Sequence, residues 1–163
     1  MTVILGIDPG LQKTGWGVIS SKQNQLSFVA CGTIKTNSKA DMPTRIKQLH
    51  DELSAVIERH QPEEAALEET FVNMSGASSL KLGQARGALM LTVSLAKLPL
   101  SEYSATMVKK SVVGKGHADK GQIAMMVKTL LPTSTPDSAD SADALAVAIT
   151  HSHHRTLSQM TGS

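Results

Sequence analysis

The chain has 163 residues, with sixteen Lys and Arg against fourteen Asp and Glu, a formal charge of +2, 40% apolar residues and only four aromatic side chains. That length suits one domain burying roughly 70% of its unfolded surface, and it argues against two full domains or a highly charged disordered chain. A near-neutral charge and sparse rings give no sign of a broad nucleic-acid surface, and Cys31, the only cysteine, excludes an internal disulfide or a cysteine-built zinc site.

The first ten residues carry no basic region ahead of an apolar run, so no signal peptide is expected. The longest apolar stretch, 85–98, contains Arg86 and Lys97 and is too short to span a bilayer. A cytoplasmic protein with no membrane partner is the expectation, and a lone thiol fits a reducing compartment.

Residues 3–7 form an apolar run closed by Asp8-Pro9-Gly10, which predicts a buried strand ending in a turn. Strands over 14–20 and 26–34 follow, with Gln23, Asn24 and Gln25 as the turn between them, so the chain opens with an antiparallel meander of three strands. Asp41 and Pro43 mark a helix start. Ile46, Leu49, Leu53, Val56 and Ile57 recur at helical spacing until Pro62.

Residues 65–69 are a short strand. Residues 75–97 are the longest helix, with Lys81 and Arg86 in its first half and no charge from Gly87 to Ala96. Gly83 and Gly87 lie on one face and predict a close helix approach there. A strand over 98–103, helices over 105–113 and 119–131, and a last helix capped by Thr135 or Asp137 and ending near His151 complete the order. The pattern predicts an α/β fold with a mixed central sheet of about five strands, the first three antiparallel, flanked by helices. Residues 1–154 form the domain, and 155–163 read as a flexible tail.

Four carboxylates stand out. Asp8 ends the first strand, Glu68 ends the Ala65–Leu67 strand, and Asp140 and Asp143 sit three apart, on one face of the last helix. Like charges near a buried edge need compensation. Oxygen-only ligands select hard cations such as Mg²⁺ or Mn²⁺, and four carboxylates suit a two-metal phosphoryl displacement. The plainer readings are a turn aspartate at Asp8, an N-cap at Asp137 and a first-turn acid at Asp140. Glu69 competes with Glu68. Alternation favours Glu68 weakly, because Leu67 and Glu69 share a face and Leu67 wants the core.

A basic stretch, Lys109, Lys110, Lys115 and Lys120, contains Asp119 as its only acid, with His117 beside Gly116. Gly114 and Gly116 flank Lys115, where backbone amides could approach a phosphate. Solvated surface lysines are the plain alternative. Phe71 reads generically as core, with base stacking as the alternative. His151, His153 and His154 read as a basic helix end rather than a metal tract.

The residues 4–10 (Ile-Leu-Gly-Ile-Asp-Pro-Gly), 67–71 (Leu-Glu-Glu-Thr-Phe), 80–87 (Leu-Lys-Leu-Gly-Gln-Ala-Arg-Gly), 112–116 and 139–146 (Ala-Asp-Ser-Ala-Asp-Ala-Leu-Ala) together resemble the RuvC family of bacterial Holliday junction resolvases. The match runs in order from residue 3 to about 151. It implies a ribonuclease-H-like fold, a homodimer, and four-way junction DNA as substrate. It also implies paired symmetric nicks leaving 5′-phosphate and 3′-hydroxyl ends. By residue-wise carry-over, Asp8, Glu68, Asp140 and Asp143 are the catalytic and metal-binding carboxylates, holding two Mg²⁺ ions for which Mn²⁺ can substitute. Lys109 and Lys120 match phosphate-contacting residues, Lys115 and Arg86 join them as DNA-binding candidates, and Phe71 matches a ring that stacks at the junction. Glu69 stands where the family leads one to expect glutamine. The resemblance further implies a branch-migration complex of RuvA and RuvB as partner. A non-cleaving junction-binding module is the alternative. An actin-like ATPase or sugar kinase would need a second domain for which 163 residues leave little room.

Overall fold

The computed structural model describes residues 1–69, 75–116 and 118–161, with side chains of the last helix described through residue 157. Phe71 and His117 lie outside the described residues.

The element order is the expected one. β1 (Thr2–Asp8), β2 (Lys13–Lys22) and β3 (Gln25–Lys35) form the antiparallel meander. Gln23, at φ 55°, opens the tight turn between β2 and β3. β4 (Glu64–Glu69) and β5 (Leu100–Ser104) extend the other edge in parallel, giving the strand order β3-β2-β1-β4-β5. Parallel neighbours need crossovers, which α1 (Met42–His60) and α2 (Gly76–Leu95) provide. The helices α3 (Ala105–Val113), α4 (Lys120–Leu130) and α5 (Ala139–Thr161) follow.

Local chemistry sets the helix ends. The Asp41 carboxylate accepts from the Thr44 amide at 3.0 Å, Pro43 occupies the first turn of α1, and Gln61 leaves it in the left-handed region at φ 48°. Asp119 is the N-cap of α4 and closes a reciprocal box with Gln122. The single acid of the basic stretch is therefore a cap.

Strand alternation sorts the core onto two faces. Leu5, Ile7 and Leu67 pack with Leu49 and Leu53 of α1 and Leu89 and Val93 of α2. Ile4 and Ala66 face α5 on the other side, together with Val108 and Val112 of α3 and Ile123 and Val127 of α4. Every residue from Ala144 to Ile149 is fully buried, because α5 is sandwiched between the sheet and these two helices.

Three glycines let α5 lie this close. A Cβ added at Gly6 would run into the Ala144 carbonyl oxygen, one at Gly15 into that of Asp140, and one at Gly17 would stand 2.6 Å from Leu145 Cδ2. At these three positions β1 and β2 meet α5 with bare backbone.

The structure differs from the sequence reading at three places. α5 is opened by Ser138, whose hydroxyl accepts from the Ser141 amide at 3.1 Å, while Asp137 instead accepts from the Thr33 hydroxyl at 2.9 Å. The Thr33 hydroxyl of β3 has claimed the Asp137 carboxylate. α5 also continues to Thr161, beyond the expected end near His151. No Gly or Pro follows His151 until Gly162, and Glu64 anchors that turn by accepting from Arg155 at 2.8 Å. An added Cβ at Gly83 or Gly87 would meet nothing within 4 Å beyond its own helix turn, so the close approach they predict is not made among the described residues.

Candidate active site

β1 and β4 run parallel, with Ile7 beside Leu67 as their last paired residues, so Asp8 and Glu68 come next at the strands' C-terminal ends. Open α/β sheets bind ligands at this edge. Because Ile7 and Leu67 point to the α1–α2 side, Asp8 and Glu68 point to the α5 side. Glu68 lines the cleft and Glu69 does not. Glu69 hydrogen-bonds Glu102 on the neighbouring strand. α5 brings Asp140 in its first turn and Asp143 on the next, and the contact of Gly15 with the Asp140 carbonyl fixes how closely they approach. The N-terminal end of α5 adds partial positive charge where the carboxylates gather.

The four carboxylates line one cleft of about 1010 Å³ together with Lys109 and Lys120. Burial pushes the Asp8 carboxyl up to about 9, reinforced by the Glu68 charge, a hydrogen bond to Glu68, and the charges of Asp143 and Asp140. Burial likewise raises Glu68, while its hydrogen bond from Asp8 and the charges of Lys120 and Lys109 oppose the shift. Asp143 is raised by burial, with Lys120 again opposing. Asp8 and Glu68 are thus both harder to ionise than ordinary carboxylates, and the charges of Lys109 and Lys120 act against that shift at Glu68 and Asp143. Lys120 Nζ stands 3.8 Å from Asp143 Oδ2 with its side chain 78% exposed, a loose pair that leaves the ammonium available to another anion.

The donor set fits a hard divalent cation. It is made of carboxylate oxygens, and burial makes the charged form of Asp8, Glu68 and Asp143 costly without a counter-ion. Among the described residues no three Asp, Glu, His or Cys groups stand close enough together to hold an ion as they are. The fit is one of chemistry and charge, and completing the coordination takes rotation of carboxylate side chains.

The remaining sequence candidates fall in different places. Lys115 is exposed on the turn after α3, where Gly114 takes φ 93°, and does not line the cleft. Arg86 is turned inward: its Nη1 donates to the Glu68 main-chain oxygen at 2.6 Å and its Nη2 to Glu102 Oε1 at 3.1 Å. The histidines serve packing. His151 bridges the Tyr103 hydroxyl at 2.8 Å and Glu64 at 2.7 Å, His153 meets Ser111 at 2.8 Å, and His154 stacks on Tyr103.

Lys13, Arg45 and Lys81 also line the cleft and escaped the sequence reading. They stand singly on β2, α1 and α2, and only the fold brings them to one rim. Arg45 is braced there by donating from Nε to the Thr36 hydroxyl at 3.0 Å.

The family model described as crossover junction endodeoxyribonuclease RuvC matches residues 4–151. A crossover junction endodeoxyribonuclease RuvC from Xanthobacter autotrophicus is 58% identical over 152 residues, covering 93% of this chain and 90% of that protein. The corresponding protein of Azorhizobium caulinodans is 56% identical over 155 residues, covering 95% and 92%. Among solved structures, Thermus thermophilus RuvC in complex with a Holliday junction substrate is similar with a TM-score of 0.90 at 31% identity, over 96% of each chain.

Proposed function

The chain belongs to the RuvC family of crossover junction endodeoxyribonucleases, and on that premise we propose that its cleft hydrolyses DNA phosphodiester bonds at four-way Holliday junctions. The observation that carries the reading is the gathering of Asp8, Glu68, Asp140 and Asp143 at one sheet edge, opposed by Lys109 and Lys120. The fold is the ribonuclease-H-like one, with five strands in a mixed sheet between two helical layers. The products are 5′-phosphate and 3′-hydroxyl ends from paired symmetric nicks.

The four carboxylates would hold two Mg²⁺ ions, with Mn²⁺ as a substitute. Such ions supply an attacking water of lowered pKa and neutralise charge that builds on the phosphoryl oxygens. The chain's own residues do the rest. Asp8 and Glu68, both raised by burial, would be held in their anionic form by a bound cation. Lys109 and Lys120 place ammonium groups at the cleft wall, where they stabilise the developing negative charge. Lys13, Arg45 and Lys81 extend the positive rim and hold the strand by its phosphates. Phe71, on the segment joining β4 to α2, would stack on a base at the junction.

A two-fold substrate calls for two sites, and a second copy of this chain supplies the other. α2 offers the contact: Leu80, Met90, Leu91 and Leu95 are exposed large apolar residues, and Gly83 and Gly87 lie open among them. Their spacing follows a seam of about 3.5 residues, the period of paired helices. RuvA and RuvB are the partners that deliver the junction, and the cytoplasm is the compartment. Among the described residues no helix is long and apolar enough to cross a membrane.

The test is cleavage of end-labelled four-way and linear duplex DNA with Mg²⁺ and with chelator. Cutting of the junction alone, at paired positions and only with the cation, is expected. Equal cutting of the linear duplex, or cutting in chelator, refutes the proposal.

A further inference from the structure

Arg86 sits on α2 one turn after Leu82, which lines the cleft. As one more cation beside a DNA-binding cleft, it belongs by residue type with the phosphate contacts. Its surroundings say otherwise. Its side chain is 17% exposed, against 78% for Lys120. Both terminal nitrogens are committed within the protein, one to the main-chain oxygen of Glu68 and one to the Glu102 carboxylate.

The place of these bonds matters more than their number. Pairing of β4 with β1 ends at Ile7 and Leu67, while pairing with β5 continues through Glu68 with Tyr103 and Glu69 with Ser104. Glu68 therefore has a strand neighbour on one side only, at the position where its carboxylate must be aimed. The guanidinium takes the Glu68 carbonyl from above and Glu102 of β5 alongside it. Its planar fork joins three elements, α2, β4 and β5, across two acceptors whose geometry a lysine ammonium cannot match. A peptide held at its carbonyl keeps its plane, and with it the direction in which the Glu68 Cα–Cβ bond leaves the strand, while the side-chain torsions stay free to complete a coordination shell.

We infer that Arg86 is a positioning residue that fixes the backbone of Glu68, and with it the direction of a catalytic carboxylate, and that it is not a DNA contact. The inference rests on the nuclease reading above. The effect runs through orientation, where a displacement of about 1 Å can cost on the order of 10²-fold in rate.

The experiment compares wild type with Arg86→Ala, Arg86→Lys and Glu102→Gln by three measurements. These are single-turnover junction cleavage with Mg²⁺, Mn²⁺ binding to the DNA-free protein by calorimetry, and junction affinity in chelator across a salt series. Arg86→Ala is expected to lower the cleavage rate by about 10²-fold and to weaken Mn²⁺ binding about tenfold, with junction affinity within twofold of wild type and an unchanged salt slope. Glu102→Gln, which leaves Arg86 its carbonyl bond, is expected to show the same signature at about a tenth of the effect. Arg86→Lys, which keeps the charge, is expected to restore little.

A salt slope reduced by about one in Arg86→Ala, with weaker junction binding and normal Mn²⁺ affinity, would mark a phosphate contact and overturn the inference. So would unchanged cleavage and unchanged Mn²⁺ binding in all three variants. If Arg86→Ala does not fold, full rescue by Arg86→Lys together with wild-type behaviour of Glu102→Gln overturns it equally. Failure of the wild-type protein to cut the junction would refute the nuclease reading instead.

Discussion

Replacing Asp8 with asparagine should stabilise the metal-free protein while abolishing its cutting. The Asp8 carboxyl is pushed from its ordinary 3.8 up to about 9 by burial and by the neighbouring acids. An acid whose folded pKa lies above its unfolded value binds protons more tightly when folded. Its contribution to stability therefore falls as pH rises past 3.8 and levels off above about 9. At about 1.36 kcal/mol per pKa unit, the ceiling on this loss near pH 7.5 is on the order of 5 kcal/mol. Asparagine fills the same volume and has no proton to lose. Glu68 is raised alongside Asp8 and interacts with it, so half the ceiling is the working figure. At roughly 2–4 °C per kcal/mol for a chain of this size, that is a rise in Tm of about 5–10 °C. The assay is calorimetric melting of both proteins in chelator at several pH values between about 5 and 9. The gap should widen with pH, and added Mg²⁺ should narrow it by stabilising the wild type alone. An asparagine variant that melts at or below the wild type near pH 8, or a gap that does not grow with pH, refutes the reasoning.

Two further outcomes are expected. Arg45→Ala and Lys13→Ala should each weaken junction binding and lower the slope of log affinity against log salt by about one; slopes equal to wild type would remove both from the phosphate-binding rim. Leu91→Glu places a charge on the exposed apolar seam of α2 and should leave a folded monomer that makes single rather than paired nicks; sedimentation as an unchanged dimer would assign the contact to another face.

Much of the site was legible because its chemistry is local. Asp8 ends an apolar run, and Asp140 and Asp143 sit at i and i+3 between small residues; one strand and one helix are enough to aim them. The placement of Glu68 needed the parallel pairing of β4 with β1, which sets its side chain beside Asp8 and turns Glu69 to the other face. The rim of Lys13, Arg45 and Lys81 was illegible because its members lie on three elements and form no run in sequence. Arg86 shows a different limit. Residue type gives its charge, but only its partners, a carbonyl and a carboxylate, give its task. The glycines of α2 carried a packing signal whose recipient is not in the described chain. The end of α5 was misjudged because helix length there is set by Glu64 and the histidine contacts rather than by stop signals.

The floor beneath α5 bears on how this protein would appear to genetics. Gly6, Gly15 and Gly17 have no side chain with which to bind a ligand, yet an added methyl at Gly15 would collide with the peptide that carries Asp140. Inactive alleles should therefore collect at these glycines as readily as at the aspartates. A map of variant effect ranked by distance from the scissile phosphate would misplace them, since the tolerance of the reaction is set by the thickness of the backbone under the helix.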